Sequence, residues 1–443
     1  MYIPYKNVNK QNIRDYFDTW KNKCSKDTAF VVVYHEKCND GIVSACVVAN
    51  YINTNFDQDK AVYIPANYGK DSFTRTFKEN KAFNDFMNEY GKGPVRLIVV
   101  DFSFAPADIA RTHLFQFGER QMDSLPCIFD SILILDHHIT SAENFKAHYE
   151  GAPNAVFTEL TENCYYLFDE ENSMSGASMA WNFFFGNTPE SELIKVVEDR
   201  DLWRHVNPNT EQGYFLVNEL NFGVTKSAHS KNPFARYADS EDPAVEIAEK
   251  LTQMLLSDEA FKSEIALYDK VVAYHKRAVD AIANRYFIRE LTNHEKSGAD
   301  KKHRVAFVNC PSQYASDVCA AIYNKHDVDY VLSFTLVQTA DSPFVNISMR
   351  SKQGGANVGD ICAYFGGGGH VNAAGCTMNL LDFVSYFDFT EQQDIAAPYA
   401  NMVNEKLLEN IAEVCRQNSG KYVTYGVICI MIFMLFMYTV LKA

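Results

Sequence analysis

The feature that most restricts the fold of this chain is a set of apolar runs that do not alternate with polar residues. Residues 28–34 (TAFVVVY), 95–100 (VRLIVV) and 131–135 (SILIL) are built almost wholly from valine, isoleucine, leucine and aromatic residues. A strand with one face in water alternates apolar and polar positions. An unbroken run of this length is buried on both faces, as in a parallel sheet covered by helices. Residues 61–64 read as a further strand, and segments with helical character (42–52, 175–185, 191–197) fall between the runs. That alternation specifies an α/β layer fold with a parallel sheet. From residue 257 to 291 the pattern becomes that of a long connecting helix. A second, smaller α/β unit follows, with strands over 304–309, 330–336 and 345–350 and a helix over 358–365. The expected organisation is a two-lobed α/β protein. It has a lead-in (1–26), a first domain (27–256), a helical connector (257–300), a second domain (301–390), a helical stalk (391–421) and a membrane anchor (422–441).

The anchor is read from YVTYGVICIMIFMLFMYTVL, residues 422–441, which carries no charge. As a helix it would be about 30 Å long, the thickness of a bilayer core. Tyr422, Tyr425 and Tyr438 lie toward its ends, and Arg416, Lys421 and Lys442 flank it. A buried helix of a globular domain normally keeps a polar stripe, and this segment has none. The expectation is a single-pass tail anchor in a lipid bilayer, with the rest of the chain facing the cytosol. Elsewhere, 47% hydrophobic and 22% charged residues exclude disorder as the main state. A formal charge of −15 argues against a binder of long nucleic acid. The eleven cysteines include no CxxC pair, which removes zinc-knuckle and dithiol redox readings.

Polar residues stand where the apolar runs end, and ligands of open α/β sheets bind beyond the carboxyl ends of the strands. His35 and Asp40 lie in YHEKCNDG directly after the first run, with Gly41 permitting a tight turn; an ordinary Asx turn accounts for the pattern equally well. Asp101 ends the second run, as a ligand or a helix cap. Asp136, His137 and His138 end the third, and two histidines after an aspartate are hard to explain as a simple turn. Glu198-Asp199-Arg200-Asp201-Leu202-Trp203 closes a helical stretch and reads either as a solvated face or as a further source of ligands. Imidazole and carboxylate ligands without sulfur suit Mn²⁺, or Mg²⁺, better than zinc. A pair of such ions needs a bridging carboxylate, for which Asp101 is the choice.

The order HxxxxDG, strand-end Asp, DHH and DRDLW resembles the four motifs of the DHH phosphoesterases. The later segment Phe365-Gly366-Gly367-Gly368-Gly369-His370 with Ala373-Ala374-Gly375 resembles the signature of the DHHA1 domain that accompanies many of them. The resemblance implies that residues 27–256 form the DHH domain and 301–390 the DHHA1 domain. It further implies two metal ions, one held by His35, Asp40 and Asp101, the other by Asp101, His137 and Asp199 or Asp201. The DxW spacing favours Asp201. His138 would face the scissile phosphate and Asp136 would support it. Arg350, Gly367, Gly368, Gly369 and His370 would bind substrate. Cys38 stands where many members carry an aspartate, although a branch similar to HxxCxDG exists. The implied activity is hydrolysis of short oligonucleotides to nucleoside monophosphates. The alternatives are a cyclic dinucleotide or phosphoadenosine phosphate as substrate, or a membrane-anchored nucleotide sensor without turnover. The pattern admits a homodimer.

Overall fold

The computed structural model describes residues 5–387, apart from 69–71, 111–114, 118–119, 123–127, 152–162, 187, 227–233, 235–242, 295–299 and 339–342. The expected stalk (391–421) and anchor (422–441) lie outside these residues. Among the described residues no helix is long and apolar enough to cross a membrane. The chain forms two compact units, Met1–Asp280 and Ala281–Ala443.

The first unit is built on a six-stranded sheet of β1 (Tyr5–Asn7), β2 (Ala29–His35), β3 (Ala61–Ala66), β4 (Val95–Val100), β7 (Ser131–Asp136) and β8 (Cys164–Phe168). A separate small hairpin is made by β5 (Phe115–Phe117) and β6 (Arg120–Met122). The order in the sheet is β1-β8-β7-β4-β2-β3, and every pairing is parallel. The non-alternating runs are explained by what covers the two faces. Phe30, Val32 and Tyr34 of β2 enter one core with Ile98, Val100, Leu133 and Leu135. Val31 and Val33 enter the opposite core with Leu97, Val99, Ile132 and Ile134. Side chains alternate across a strand, so an apolar layer on each side requires an apolar residue at every position.

The amino-terminal segment contributes to both the sheet and the core of the first unit. β1 pairs with β8 at the sheet edge, and Ile13, Phe17 and Trp20 are buried in the first core. A three-residue edge strand, YKN, carries no apolar signal because its side chains are only partly covered. Arg96, the one charge in VRLIVV, is also buried: Nη1 donates to the Trp20 carbonyl at 2.7 Å and the guanidinium lies 5.4 Å from the Trp20 ring centroid.

The helical pattern over 257–291 resolves into helices Asp258–Ile265 and Asp269–Ala283, and then switches to a strand, β9 (Tyr286–His294). Phe287 explains the switch: it stacks on Phe307 of β10 (Asp300–Asn309) at 5.1 Å, and β9 pairs antiparallel with β10. The second unit is completed by β11 (Tyr330–Gln338), β12 (Pro343–Arg350), β13 (Gly368–His370) and β14 (Ala373–Asn379), in the order β13-β14-β12-β11-β10-β9. Only β10 and β11 run parallel, so this sheet is mixed. Helices Val358–Tyr364 and Leu380–Tyr386 contribute Ile361, Cys362 and Phe383 to its core.

Candidate metal centre

β4 lies between β2 and β7, so the carboxyl ends of the three longest apolar runs are neighbours. His35 is the last residue of β2, Asp101 follows β4, and Asp136 ends β7 with His137 and His138 next in the chain. Asp101 has φ +52°, a left-handed conformation uncommon for a residue with a side chain. Its amide still donates to the Leu135 carbonyl at 3.0 Å, so the β4–β7 ladder is continued while the carboxylate is turned toward the other strand ends. Asp40 enters from the first turn of helix Asn39–Asn55. Gly41 lets that helix start close against β2, because a Cβ there would sit 2.3 Å from the His35 carbonyl oxygen. The Asp40 carboxylate accepts hydrogen bonds from the amides of Gly176 and Ala177 (2.9 Å for Ala177), at the start of helix Gly176–Phe185.

The ligand atoms converge in two groups, His35–Asp101–His138 and Asp40–His137–Asp201, each with its atoms within 4.8 Å of one another. Asp40 thus stands with His137 and Asp201 rather than in the group of His35. Asp101 faces both groups. Its Oδ2 is 3.3 Å from His35 Nδ1 and its Oδ1 is 3.2 Å from His137 Nε2. His137 Nε2 also lies 3.4 Å from Asp201 Oδ2 and 3.7 Å from Asp40 Oδ2.

A divalent cation fits these residues on three counts. First, His35 Nδ1 and Asp101 Oδ2 are buried, face each other, and make no hydrogen bond. Unpaired buried polar atoms are costly unless something else satisfies them. Second, burial and the charges of Asp101 and Asp201 push the Asp40 carboxyl well above its usual range. Burial alone would lower the His137 pKa, but Asp101, Asp201 and Asp40 raise it well above that of a free imidazole. Carboxylates crowded this closely remain ionised together only beside positive charge. Third, the donors are oxygen and nitrogen, and Cys38 belongs to neither group.

Asp136 holds the two histidines in place. Its Oδ1 accepts the amides of His137 (2.9 Å) and His138 (3.2 Å) and lies 2.7 Å from His138 Nδ1, while Oδ2 accepts from Ser103 Oγ at 2.5 Å. Burial pushes this carboxyl up, but the charges of His138 and His137 and its hydrogen bonds more than offset it and hold the pKa below the ordinary value. With Nδ1 engaged, His138 presents Nε2 to the first group.

His137 is held by Asn172, whose Oδ1 lies 3.0 Å from Nδ1, leaving Nε2 for the aspartates. Asn172 was invisible to motif reasoning, because a single asparagine in a turn has many structural explanations. Its φ of +52° is the sign, absent from the sequence, that the backbone is shaped around this contact. Asn172→Gly keeps that conformation accessible and removes the amide oxygen. It is expected to weaken Mn²⁺ binding by about 10- to 100-fold, the usual effect of losing a partner behind a metal ligand. Calorimetric titration with Mn²⁺ checks this, and an unchanged affinity would refute the orienting role.

Asp201 and Asp199 part company. The Asp199 carboxylate accepts the amides of Val206 (3.0 Å) and Asn207 (3.1 Å) and the Thr210 hydroxyl, and so closes the turn after helix Glu192–Asp201. Asp201 alone of the two reaches His137.

In the second unit, Arg350 ends β12. Its guanidinium donates to Ser316 Oγ (3.2 and 3.3 Å), the Met349 carbonyl (2.9 Å) and the Ala374 carbonyl (3.3 Å). The glycine run follows helix Val358–Tyr364. It runs into β13, which pairs with β14 as a hairpin. Two glycines are required by that packing: a Cβ on Gly367 would lie 2.1 Å from the Gly375 carbonyl oxygen, and one on Gly369, at φ +144°, would lie 2.5 Å from that of Ala373. Gly368 has open space around its Cβ position, and His370 is half-buried on the same strand.

No family model matches the chain. It is 24% identical over 363 residues to an uncharacterised protein, R106, of Acanthamoeba polyphaga mimivirus, across 79% of this chain and 68% of that one. Among solved structures it is similar to the DHH domain of a member of a ribosomal protein family, PF0399 (TM-score 0.49, 12% identity, 86% of this chain and 89% of that one). It is also similar to an exopolyphosphatase-related protein from Bacteroides fragilis (TM-score 0.41, 14% identity, 85% and 95%). A third likeness is to PggH, a pGpG-specific phosphodiesterase from Vibrio cholerae (TM-score 0.38, 14% identity, 81% and 96%). With every TM-score below 0.5, these likenesses assign nothing by themselves.

Proposed function

We propose that this chain is a metal-dependent phosphodiesterase that hydrolyses short oligonucleotides to nucleoside monophosphates. The observation that carries the reading is Asp101, which offers one carboxylate oxygen to each of two three-ligand groups. Mn²⁺ or Mg²⁺ bound there would supply an activated water and neutralise charge building on the phosphoryl oxygens. His35 and Asp101 would hold one ion, and Asp40, His137 and Asp201 would hold the other. His138, oriented by Asp136, meets the phosphate. Arg350, Gly367, Gly368, Gly369 and His370 are the candidate nucleotide-binding residues of the second unit, where the open space at Gly368 favours close approach of a ligand to its backbone.

Short substrates are favoured over long polymer by the charge of −15, which leaves little electrostatic pull on an extended phosphate chain. We also propose that residues 422–441 tether the chain to a bilayer, a reading supported by the uncharged length of that segment.

The test uses the full chain in detergent with Mn²⁺. A five-nucleotide RNA, a cyclic dinucleotide, phosphoadenosine phosphate and pyrophosphate are each incubated with it, beside an Asp136→Ala/His137→Ala control. Stepwise loss of single nucleotides, absent in the control, is the expected result. Cleavage confined to the cyclic dinucleotide or phosphoadenosine phosphate would move the substrate within the phosphoesterases. Tight nucleotide binding with no cleavage of any of the four would replace the hydrolase by a sensor.

A further inference from the structure

Tyr68 is a large aromatic residue that the fold does not bury. It follows β3, the strand next to β2, and is 43% exposed. Its ring centroid lies 5.3 Å from that of His35 and 5.6 Å from that of His138, both of the first ligand group. Behind it, 4.6 Å away, is Phe102, which is 1% exposed. The ring is therefore backed by a core aromatic and edged by the two imidazoles, with its remaining surface open to water beside them.

A tyrosine fixed in this way loses little further freedom when a ligand packs on it, so most of the contact energy is retained as affinity. What packs well on an aromatic ring is another flat ring, and a nucleobase stacks without regard to its identity. Building on the phosphodiesterase reading above, we propose that Tyr68 contacts substrate: its exposed ring stacks on the base of the nucleotide whose phosphate lies at the His35–Asp101–His138 group. The contact makes the site selective for nucleotides over phosphate esters that lack a base. It also accounts for an exposed aromatic ring at a place where nothing in the fold needs it.

The experiment is calorimetric binding to the full chain with Mn²⁺, using adenosine monophosphate and ribose 5-phosphate as paired probes. Tyr68→Leu should weaken adenosine monophosphate about tenfold, within the range for loss of one base–aromatic stack. Ribose 5-phosphate and Mn²⁺ affinities should be unchanged, which also certifies the folded site. Tyr68→Phe and Tyr68→Trp, which keep a ring, should bind adenosine monophosphate within about twofold of the parent. Equal weakening of both probes, loss of Mn²⁺ affinity, or no change with either probe would overturn the stacking role. The readout does not depend on turnover. A parent chain that binds with this pattern yet cleaves nothing removes the hydrolase reading and leaves the Tyr68 contact standing. Turnover with no difference between the probes does the reverse.

Discussion

Asp101→Asn is expected to reduce Mn²⁺-supported turnover by roughly 10³-fold, the order seen when one pre-organised charge contact at a reacting centre is removed. Asparagine has the same shape and tolerates the left-handed backbone at φ +52° about as well as aspartate does, so the strand end keeps its course. What changes is the charge shared by two ligand groups: one oxygen becomes an amide nitrogen that cannot bind a cation, facing either His35 or His137. The same substitution removes one of the two like charges that raise the Asp40 pKa, but also the charge that pairs with His137 and His35, so the two effects oppose and the metal-free melting temperature should move little. Steady-state turnover, Mn²⁺ titration and thermal denaturation in chelator test the three statements together. Turnover within tenfold of the parent would show that Asp101 does not serve both groups. A sharp fall in metal-free melting temperature would make it a structural residue instead.

The largest effect on stability is expected from Trp20→Ala, at about 3–5 kcal/mol. The indole is fully buried and has edge or tilted contacts with Phe17, Tyr51, Phe183 and Phe184 at centroid distances of 5.5–6.2 Å. Alanine leaves a cavity that four aromatic rings from different segments cannot easily close. The guanidinium of Arg96 would keep the Trp20 carbonyl but lose the ring beside it, and burial already lowers its pKa. Denaturant titration of the full chain measures the loss. A change below about 1 kcal/mol, typical of a surface position, would mean that the amino-terminal segment is dispensable to the first unit.

The parts of this fold that can be read from sequence are those where one physical demand sets every residue. β2, β4 and β7 are legible because both faces are buried, and the residues ending them stand out because a carboxylate or imidazole is conspicuous after such a run. The ligand cluster is legible for the same reason: five of its six residues lie on or just beyond those strand ends. Elsewhere several demands compete. β1 is an edge strand whose residues would suit a loop. Residues 286–291 follow a helical pattern and become part of a strand through pairing with β10 and the Phe287–Phe307 stack, both long-range facts. The β13–β14 hairpin is spelled in glycine and alanine, which have low strand propensity, and is held by backbone approach. Asn172 and Ser103 act through one hydrogen bond each, which no spacing announces. Asp199 and Asp201 are equivalent in composition; the DxW spacing favours Asp201, and the separate role of Asp199 emerges only when helix Glu192–Asp201 and the turn behind it are placed.

The position of β1 gives the first unit a history as well as a shape. Tyr5 is made well before its partner Tyr166, and the strands between them occupy the rest of the sheet. While a ribosome is extending the chain, the amino-terminal strand has no edge to join, and closing so long a loop carries an entropic cost that delays the pairing. The ligands arrive in sequence too. His35, Asp101 and His138 can assemble once β7 has emerged, whereas the second group waits for Asp201. A nascent chain would thus complete the first ligand group before the second.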